Sequence, residues 1–287
     1  MIWMRLLANN KRLYIFQASA LVFLYPGVEL PMVKMPIRSN IKLPQGFILI
    51  ESLEHSVFSI GGYILVEEKK QPVAHVYEYI ERKGRLEPRE RMTEERFNCY
   101  AVAKQNEIYV FGGENAEKRL LHSEKYVISD NAWISITFLL KPIIKGCLYS
   151  IQNYIYHIEP NTDNSLSLAT YDCIDDKWAE EISIKCPLIS NSLIFCERGL
   201  NDDEVVVFGN DSLLILNVKD KNIKFDKEKM SYECTVEERT WSHVRIENTI
   251  FGINEKSFVK YQEDERVKAI ASYDLKELIK TIEYKKE

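Results

Sequence analysis

Residues 107–113 have the sequence Glu-Ile-Tyr-Val-Phe-Gly-Gly, a short run of strand-forming residues that ends in two glycines. A related run, His-Ser-Val-Phe-Ser-Ile-Gly-Gly, occupies residues 55–62. Weaker copies occur at residues 154–158, 204–210 and 249–253. A motif that recurs along the whole chain predicts a fold built from repeated units of one kind.

A second pattern follows most of these copies: two apolar anchors seven positions apart, with polar turn-forming residues between them. The clearest pairs are Tyr126 with Trp133 and Tyr171 with Trp178. Weaker pairs with this spacing are Phe23 and Leu30, Tyr79 and Leu86, and Leu216 and Ile223, whereas Tyr261 and Val267 are six apart. The pattern predicts a strand, a polar turn and a second strand in each unit.

The length of the repeat is the distance between corresponding positions of successive copies. These positions are the first glycine of the motif or the residue that replaces it: Gly61, Gly112, Ile158, Gly209 and Gly252. Their spacing fits either a kelch blade of about 50 residues or a WD40 blade of about 40–45 residues. The glycine pair followed by Tyr and Trp resembles the kelch repeat, most strongly over residues 55–178. The resemblance implies an all-β fold, a six-bladed kelch-type β-propeller that occupies residues 1–287 as a single domain. The expected blades are residues 1–37, 46–92, 97–140, 145–186, 191–228 and 240–274.

The N-terminal segment has two interpretations. Basic residues followed by an apolar stretch from Leu13 to Tyr25 resemble a signal peptide, but cleavage after Ala20 would leave the most apolar part on the mature chain. We favour β-strands at Ile2–Leu7, Arg12–Gln17 and Leu21–Leu24, with a tight turn at the two asparagines between the first two strands.

The C-terminal segment, residues 274–287, has a different pattern. Leu275, Leu278, Ile279 and Ile282 recur at helical spacing behind a candidate N-cap at Asp274. We expect a short helix there. A strand that closes the ring and a docking tail for a partner are the alternatives.

Composition limits the classes of function. The chain has 46% hydrophobic residues and a net charge of −5, which is typical of a soluble globular protein and does not favour binding to nucleic acid. Its six cysteines include no Cys-x-x-Cys pair, and its five histidines include no close pair, so no metal site is predicted. We expect reduced thiols, a cytoplasmic location and no membrane association.

Arg96 precedes the strand expected at Asn98–Ala103, a place where kelch blades commonly direct an arginine to one rim. The Glu-Glu-Arg triplet of residues 94–96 recurs at residues 237–239, which makes Arg239 its counterpart. The resemblance therefore implies that Arg96 and Arg239 are rim residues. They are candidate partner-binding residues together with the turn residues Asn201 and Asp202. Ion pairs with the adjacent glutamates are the alternative role for Arg96.

No catalytic motif accompanies the repeat. Gly-Gly-Glu-Asn at residues 112–115 lacks the Gly-Lys-Ser/Thr of a phosphate loop, and the chain contains no Gly-x-Ser-x-Gly. We expect a non-enzymatic scaffold or adaptor, without cofactor, metal or catalytic residues, that binds another protein or part of a larger assembly. Two alternatives remain. One is a kelch-like enzyme acting on a carbohydrate or small molecule, as galactose oxidase and sialic acid mutarotases are. The other is a secreted glycan-binding propeller.

Overall fold

The described part of the chain is all-β. The computed structural model describes residues 5–9, 12–17, 20–24, 32–36, 41–52, 56–186, 195–198, 203–208, 213–225, 242–246, 249–253, 257–263 and 267–274. These residues form 27 β-strands and one short 3-10 turn at Glu81–Lys83. Among the described residues, no helix has the length and hydrophobicity needed to span a membrane.

The first three sheets follow one another along the chain. The first contains β1 (Arg5–Asn9), β2 (Arg12–Gln17), β3 (Ala20–Leu24) and β4 (Met32–Pro36). The second begins with β5 (Ile48–Glu51) and β6 (Val57–Ile60), is interrupted by a hairpin of β7 (Tyr63–Val66) and β8 (Lys69–Pro72), and ends with β9 (Val76–Ile80) and β10 (Arg85–Pro88). The third contains β11 (Tyr100–Lys104), β12 (Glu107–Phe111), β13 (Ser123–Val127) and β14 (Ala132–Ile136).

Three further sheets follow. The fourth contains β15 (Cys147–Ile151), β16 (Tyr154–Pro160) and β17 (Ser165–Asp172), with β18 (Lys177–Trp178) and β19 (Ile182–Lys185) both paired to β17. The fifth contains β20 (Phe195–Arg198), β21 (Glu204–Phe208), β22 (Leu213–Asn217) and β23 (Asn222–Phe225). The sixth contains β24 (Ser242–Ile246), β25 (Thr249–Ile253), β26 (Ser257–Glu263) and β27 (Val267–Asp274). Each of the six sheets lies within one of the six blades expected from the sequence.

Antiparallel pairing of successive strands gives every sheet two distinct ends. At one end, which we call the turn end, the first strand turns into the second and the third turns into the fourth. At the other, the second strand connects to the third and the chain leaves for the next sheet. Gly61-Gly62 follows β6 and Gly112-Gly113 follows β12, so we call this second end the glycine end.

Contacts between sheets are made largely by their first strands. Strand β1 contacts β5, β5 contacts β11, β11 contacts β15, β15 contacts β20, β20 contacts β24, and β24 contacts β1. The core is divided among the spaces between neighbouring sheets. For example, Phe58 of the second sheet shares a cluster with Val110 of the third, and Phe111 of the third shares a cluster with Tyr171 of the fourth. Both faces of the third sheet are therefore covered by its neighbours.

Strand pairing accounts for the seven-residue spacing. Tyr126 lies directly opposite Trp133, and Tyr171 lies opposite Trp178, with ring centroids 5.1 and 5.2 Å apart. Tyr79 with Leu86 and Leu216 with Ile223 are equivalent cross-strand pairs. In each case the residue five positions after the first anchor has a left-handed backbone, with φ of 61° at Gly84, 50° at Asn131, 49° at Asp176 and 54° at Lys221. This conformation closes the turn between the third and fourth strands.

The same turn residue ties neighbouring sheets together. The side-chain oxygen of Asn131 accepts hydrogen bonds from the Tyr126 hydroxyl at 2.6 Å and from the backbone N–H of Glu90 at 2.9 Å. Glu90 belongs to the segment that leaves the second sheet. Asp176 of the fourth sheet repeats the arrangement, accepting from the Tyr171 hydroxyl and from the backbone N–H of Thr137.

Several expectations from the sequence need correction. Phe23 is opposite Val33 instead of Leu30, because the connection between β3 and β4 is longer than its equivalents. Tyr261 is opposite Ala269 instead of Val267, because the register shifts beside Tyr261. The glycine equivalents Ile158 and Gly252 lie inside β16 and β25 instead of following a strand.

The terminal predictions have mixed outcomes. Strand β2 has the predicted bounds, Arg12–Gln17, and β3 starts one residue earlier than predicted. Strand β1 spans Arg5–Asn9, and residues 2–4 of the strand predicted at Ile2–Leu7 lie outside the described residues. Asp274, the expected N-cap, is the last residue of β27. The rest of the expected helix, residues 275–287, lies outside the described residues.

Candidate functional site

Arg96 lies at the glycine end, between β10 and β11. The resemblance to kelch repeats implied a rim residue available to a partner, but its side chain is completely buried. Its guanidinium donates hydrogen bonds to the carbonyl oxygens of Gly112 and His122 and to the carboxylate of Glu124, each at 2.8 Å. Its own carbonyl oxygen accepts from the backbone N–H of Gly62 at 2.8 Å. Arg96 therefore joins the second sheet to the third.

Glu124 on β13 is the buried counter-ion of Arg96, and both of its oxygens have donors. One oxygen accepts from Arg96, and the other accepts from the backbone N–H and the hydroxyl of Thr93 at 2.9 and 2.8 Å. Both partners of the pair are 0% exposed. A buried ion pair is tolerated when such bonds offset its desolvation. Arg96 thus has the alternative role, an ion pair, but its partner is Glu124 instead of the adjacent glutamates.

His122 connects this buried network to the surface. Its Nδ1 lies 2.7 Å from a guanidinium nitrogen of Arg96, which can only donate, so Nδ1 is unprotonated. The proton is then on Nε2, which donates to the Ser135 hydroxyl at 3.2 Å. Burial, reinforced by the charge of Arg96, lowers the pKa of His122. The ring is therefore neutral, and its 3.9 Å approach to Glu124 is not an ion pair.

Three exposed apolar side chains lie on the two segments that meet at His122: Leu121, Phe138 and Leu140, which are 39%, 53% and 77% exposed. We call them the Phe138 surface. The backbone N–H of Leu139 donates to the carbonyl oxygen of Leu121 at 2.9 Å, which holds the two segments side by side. The Phe138 ring meets the His122 ring edge-on, with centroids 5.1 Å apart. Ile144 is exposed farther along the same connection to β15.

The charged residues near the Phe138 surface differ in their contacts. Lys118 and Arg119 are exposed and form no ion pair with another described residue. Lys141 is paired: its ammonium lies 2.8 Å from Glu181 and 3.8 Å from Glu159. The exposed cations without an ion pair, Lys118 and Arg119, therefore lie on the Leu121 side of the surface.

The β7–β8 hairpin is a second apolar feature of the glycine end. Its consecutive residues Ile64, Leu65 and Val66 are all exposed, whereas Tyr63 at its base is buried. The ammonium of Lys70 lies 4.7 Å from the centre of the Tyr63 ring, a cation–π contact that holds the two strands together at their base. The hairpin projects apolar side chains away from the second sheet.

Exposed apolar side chains are concentrated at this end. Seven of the ten large hydrophobic residues exposed in the described part of the chain lie there: Ile64, Leu65, Val66, Leu121, Phe138, Leu140 and Ile144. The other three are Ile134 on the outer strand β14 and, at the turn end, Tyr154 and Ile174. This distribution makes the glycine end the candidate functional surface.

The remaining residues singled out from the sequence do not join this surface. Arg239, Asn201 and Asp202 lie outside the described residues. Among the histidines, His157 is buried, and its Nε2 donates to the carbonyl oxygen of Lys145 at 3.0 Å. Within the part of the chain that the structure describes, no three His, Cys, Asp or Glu residues are grouped so that they could hold a metal ion.

Sequence reasoning did not select the Phe138 surface. The only available signal is an apolar run that continues past the end of β14, Phe-Leu-Leu-Lys-Pro-Ile-Ile at residues 138–144. Alternate members of that run are buried and exposed: Leu139 and Ile143 face inward, and Phe138, Leu140 and Ile144 face outward. The hydrophobicity of the run alone does not reveal this division.

Comparisons with known proteins support the fold. No family model matches the chain, and no curated protein matches it. A solved structure described as "Structure of YjhT" is similar over 93% of this chain and 96% of that chain, with a TM-score of 0.66 and 10% sequence identity. YjhT has a kelch-type fold. At this identity the similarity supports the fold alone.

Proposed function

We propose that the six sheets are the blades of one closed kelch-type propeller, a single domain that binds another protein at its glycine end without catalysing a reaction. The cycle of contacts between first strands, in which β24 meets β1, supports the closed ring. The division of the core among the spaces between sheets supports it as well, because each blade of a propeller is covered by its neighbours. The five described cysteines are free thiols, which favours a reducing compartment such as the cytoplasm.

The observation that carries the binding function is the concentration of exposed apolar side chains at the glycine end. Contiguous apolar groups on the surface of a monomer mark sites of interaction. Aliphatic side chains around an exposed phenylalanine are typical of the centre of a protein–protein interface. They offer no hydrogen bonds by which a small polar substrate would be oriented.

The buried network beneath this surface explains why it is suited to binding. Arg96 fixes the carbonyl groups of Gly112 and His122, and Glu124 fixes the segment around Thr93. The loops that display Leu121 and Phe138 are thus anchored to rigid strands. A surface held in its binding shape loses less conformational entropy when a partner docks.

The test is an affinity purification from cells that make the protein natively, with three forms of the bait: wild type, Leu140→Asp and Ile174→Asp. Leu140 and Ile174 are 77% and 72% exposed but lie at opposite ends, so Ile174→Asp is a matched control. A protein partner should be recovered in stoichiometric amount with wild type and Ile174→Asp, and lost with Leu140→Asp. Absence of any stoichiometric protein partner, together with turnover of a carbohydrate or other small molecule, would refute the proposal.

A further inference from the structure

We propose that the Phe138 surface binds an acidic segment of the partner, whose apolar side chains cover Leu121, Phe138 and Leu140 and whose carboxylates pair with Arg119 and Lys118. This inference rests on the proposed function and specifies the chemistry of the partner. It follows from the arrangement of the exposed side chains, from the basic residues beside them and from the need to pair a cation that docking would bury.

Exposed side chains alternate with buried ones along both segments. Arg119 and Leu121 are exposed while Leu120 between them is buried, and Phe138 and Leu140 are exposed while Leu139 between them is buried. Alternation of this kind puts residues i and i+2 on the same face. The hydrogen bond from Leu139 to Leu121 places the two pairs next to each other. A guanidinium therefore lies at the edge of an apolar surface.

The two segments are basic on a chain that is acidic as a whole. Residues 116–122 and 136–146 contain one acidic residue, Glu117, and four basic ones, which are Lys118, Arg119, Lys141 and Lys145. The whole chain has 43 acidic and 38 basic residues. Lys141 is already paired with Glu181, and His122 is neutral because Nδ1 accepts from Arg96. Lys145 is half-buried beyond Ile144. Arg119 and Lys118 are thus the exposed, unpaired cations of the two segments.

Docking a partner on the Phe138 surface would remove Arg119 from water. Burial removes the hydration of a cation, and a carboxylate partner offsets the cost. Complementary charges around an apolar centre also set which partners bind. An apolar segment without acidic residues would leave Arg119 uncompensated, and a basic one would be repelled. The fitting ligand combines apolar side chains with Asp or Glu at one edge.

The inference is tested by fluorescence anisotropy with the full chain and labelled synthetic peptides. The first peptide alternates Leu or Phe with Glu or Asp, the second replaces its acidic residues with Lys, and the third replaces its apolar residues with Ser. The first should bind at least tenfold more tightly than the others. Arg119→Glu and Leu140→Ser should each weaken this binding at least tenfold. Higher salt should weaken it as well, because the charges are exposed before docking.

Matched controls lie at the turn end. Arg82 is exposed in the turn between β9 and β10, and Ile174 is exposed in the turn between β17 and β18. Arg82→Glu and Ile174→Ser should leave the affinity for the acidic peptide unchanged. Circular dichroism and thermal unfolding of each variant establish that it is folded before its affinity is compared.

Four results would overturn the inference. The first three are failure of the acidic peptide to bind, equal binding of the basic peptide, and an unchanged affinity for the acidic peptide in Arg119→Glu. The fourth is a dimer, detected by light scattering, that Leu140→Ser converts to a monomer, because a second copy of this chain would then be the occupant. In the first three cases the proposed function still stands if Leu140→Asp abolishes recovery of the native partner, so the two failures are distinguishable.

Discussion

The substitution Arg96→Met removes the cation from a completely buried ion pair and leaves its carboxylate in place. Methionine fills much of the volume of the arginine stem but donates no hydrogen bond. Glu124 keeps its two bonds from Thr93 and loses its counter-ion, and the carbonyl oxygens of Gly112 and His122 lose their donors. Breaking a buried pair by removing one partner costs about 3–5 kcal/mol. Domains have a total stability of roughly 5–15 kcal/mol, so the expected loss is large.

Urea unfolding followed by tryptophan fluorescence measures this loss, and a double-mutant cycle identifies its cause. Arg96→Met should lower the free energy of unfolding by about 3–5 kcal/mol. In the double variant Arg96→Met/Glu124→Leu no buried charge is left unpaired, so it should be less destabilised than the sum of the two single variants. A loss below about 1 kcal/mol for Arg96→Met would refute the assignment of a structural role, since even a typical neutral hydrogen bond contributes that much. Full stability combined with loss of partner binding would make Arg96 a contact residue instead.

Three further predictions concern the glycine end and the turns. Gly61 and Gly84 have similar φ values of 64° and 61°, but an added Cβ would lie 2.5 Å from a backbone oxygen at Gly61 and meets nothing within 4 Å at Gly84. In urea unfolding Gly84→Ala should therefore cost about 1 kcal/mol and Gly61→Ala several times more; equal losses would contradict this. Asn131→Gly keeps the left-handed turn but loses two hydrogen bonds, and should cost about 1–3 kcal/mol by the same assay, whereas an unchanged stability would show that the bonds to the preceding sheet are unimportant. Folding lowers the His122 pKa, so its neutral form stabilises the protein above pH 6.5, and this stabilisation is lost as the pH falls through the lowered value. His122→Gln should therefore make thermal stability less sensitive to acid. An unchanged dependence of thermal stability on pH would refute the assignment of a neutral, buried imidazole to His122.

The fold was predictable where its signals are local. Tyr126 and Trp133 are cross-strand partners separated by one tight turn, so their spacing in the sequence is set by the turn and repeats wherever the turn repeats. The predicted pair Phe23 and Leu30 failed because the corresponding connection is longer, and a longer connection changes the register without changing the type of fold.

The site was less predictable because it depends on distant residues. Arg96 precedes the first strand of the third sheet, as the sequence indicates, but its burial depends on Glu124, which is 28 residues away and approaches only after two strands have paired. The exposure of Phe138 depends on the hydrogen bond between Leu139 and Leu121, which fixes the segment with Leu139 toward the core and Phe138 toward solvent. Neither contact can be predicted from local sequence patterns.

Hydrogen exchange measured by mass spectrometry shows whether a partner protein binds at the glycine end. The protein is compared alone and in complex with the partner that copurifies with it. We expect slower exchange in residues 63–72, 116–122 and 137–145, which display the exposed apolar side chains, and unchanged exchange in the turns at residues 128–131 and 173–176. Slower exchange confined to those turns, with residues 116–122 and 137–145 unchanged, would contradict binding at the glycine end.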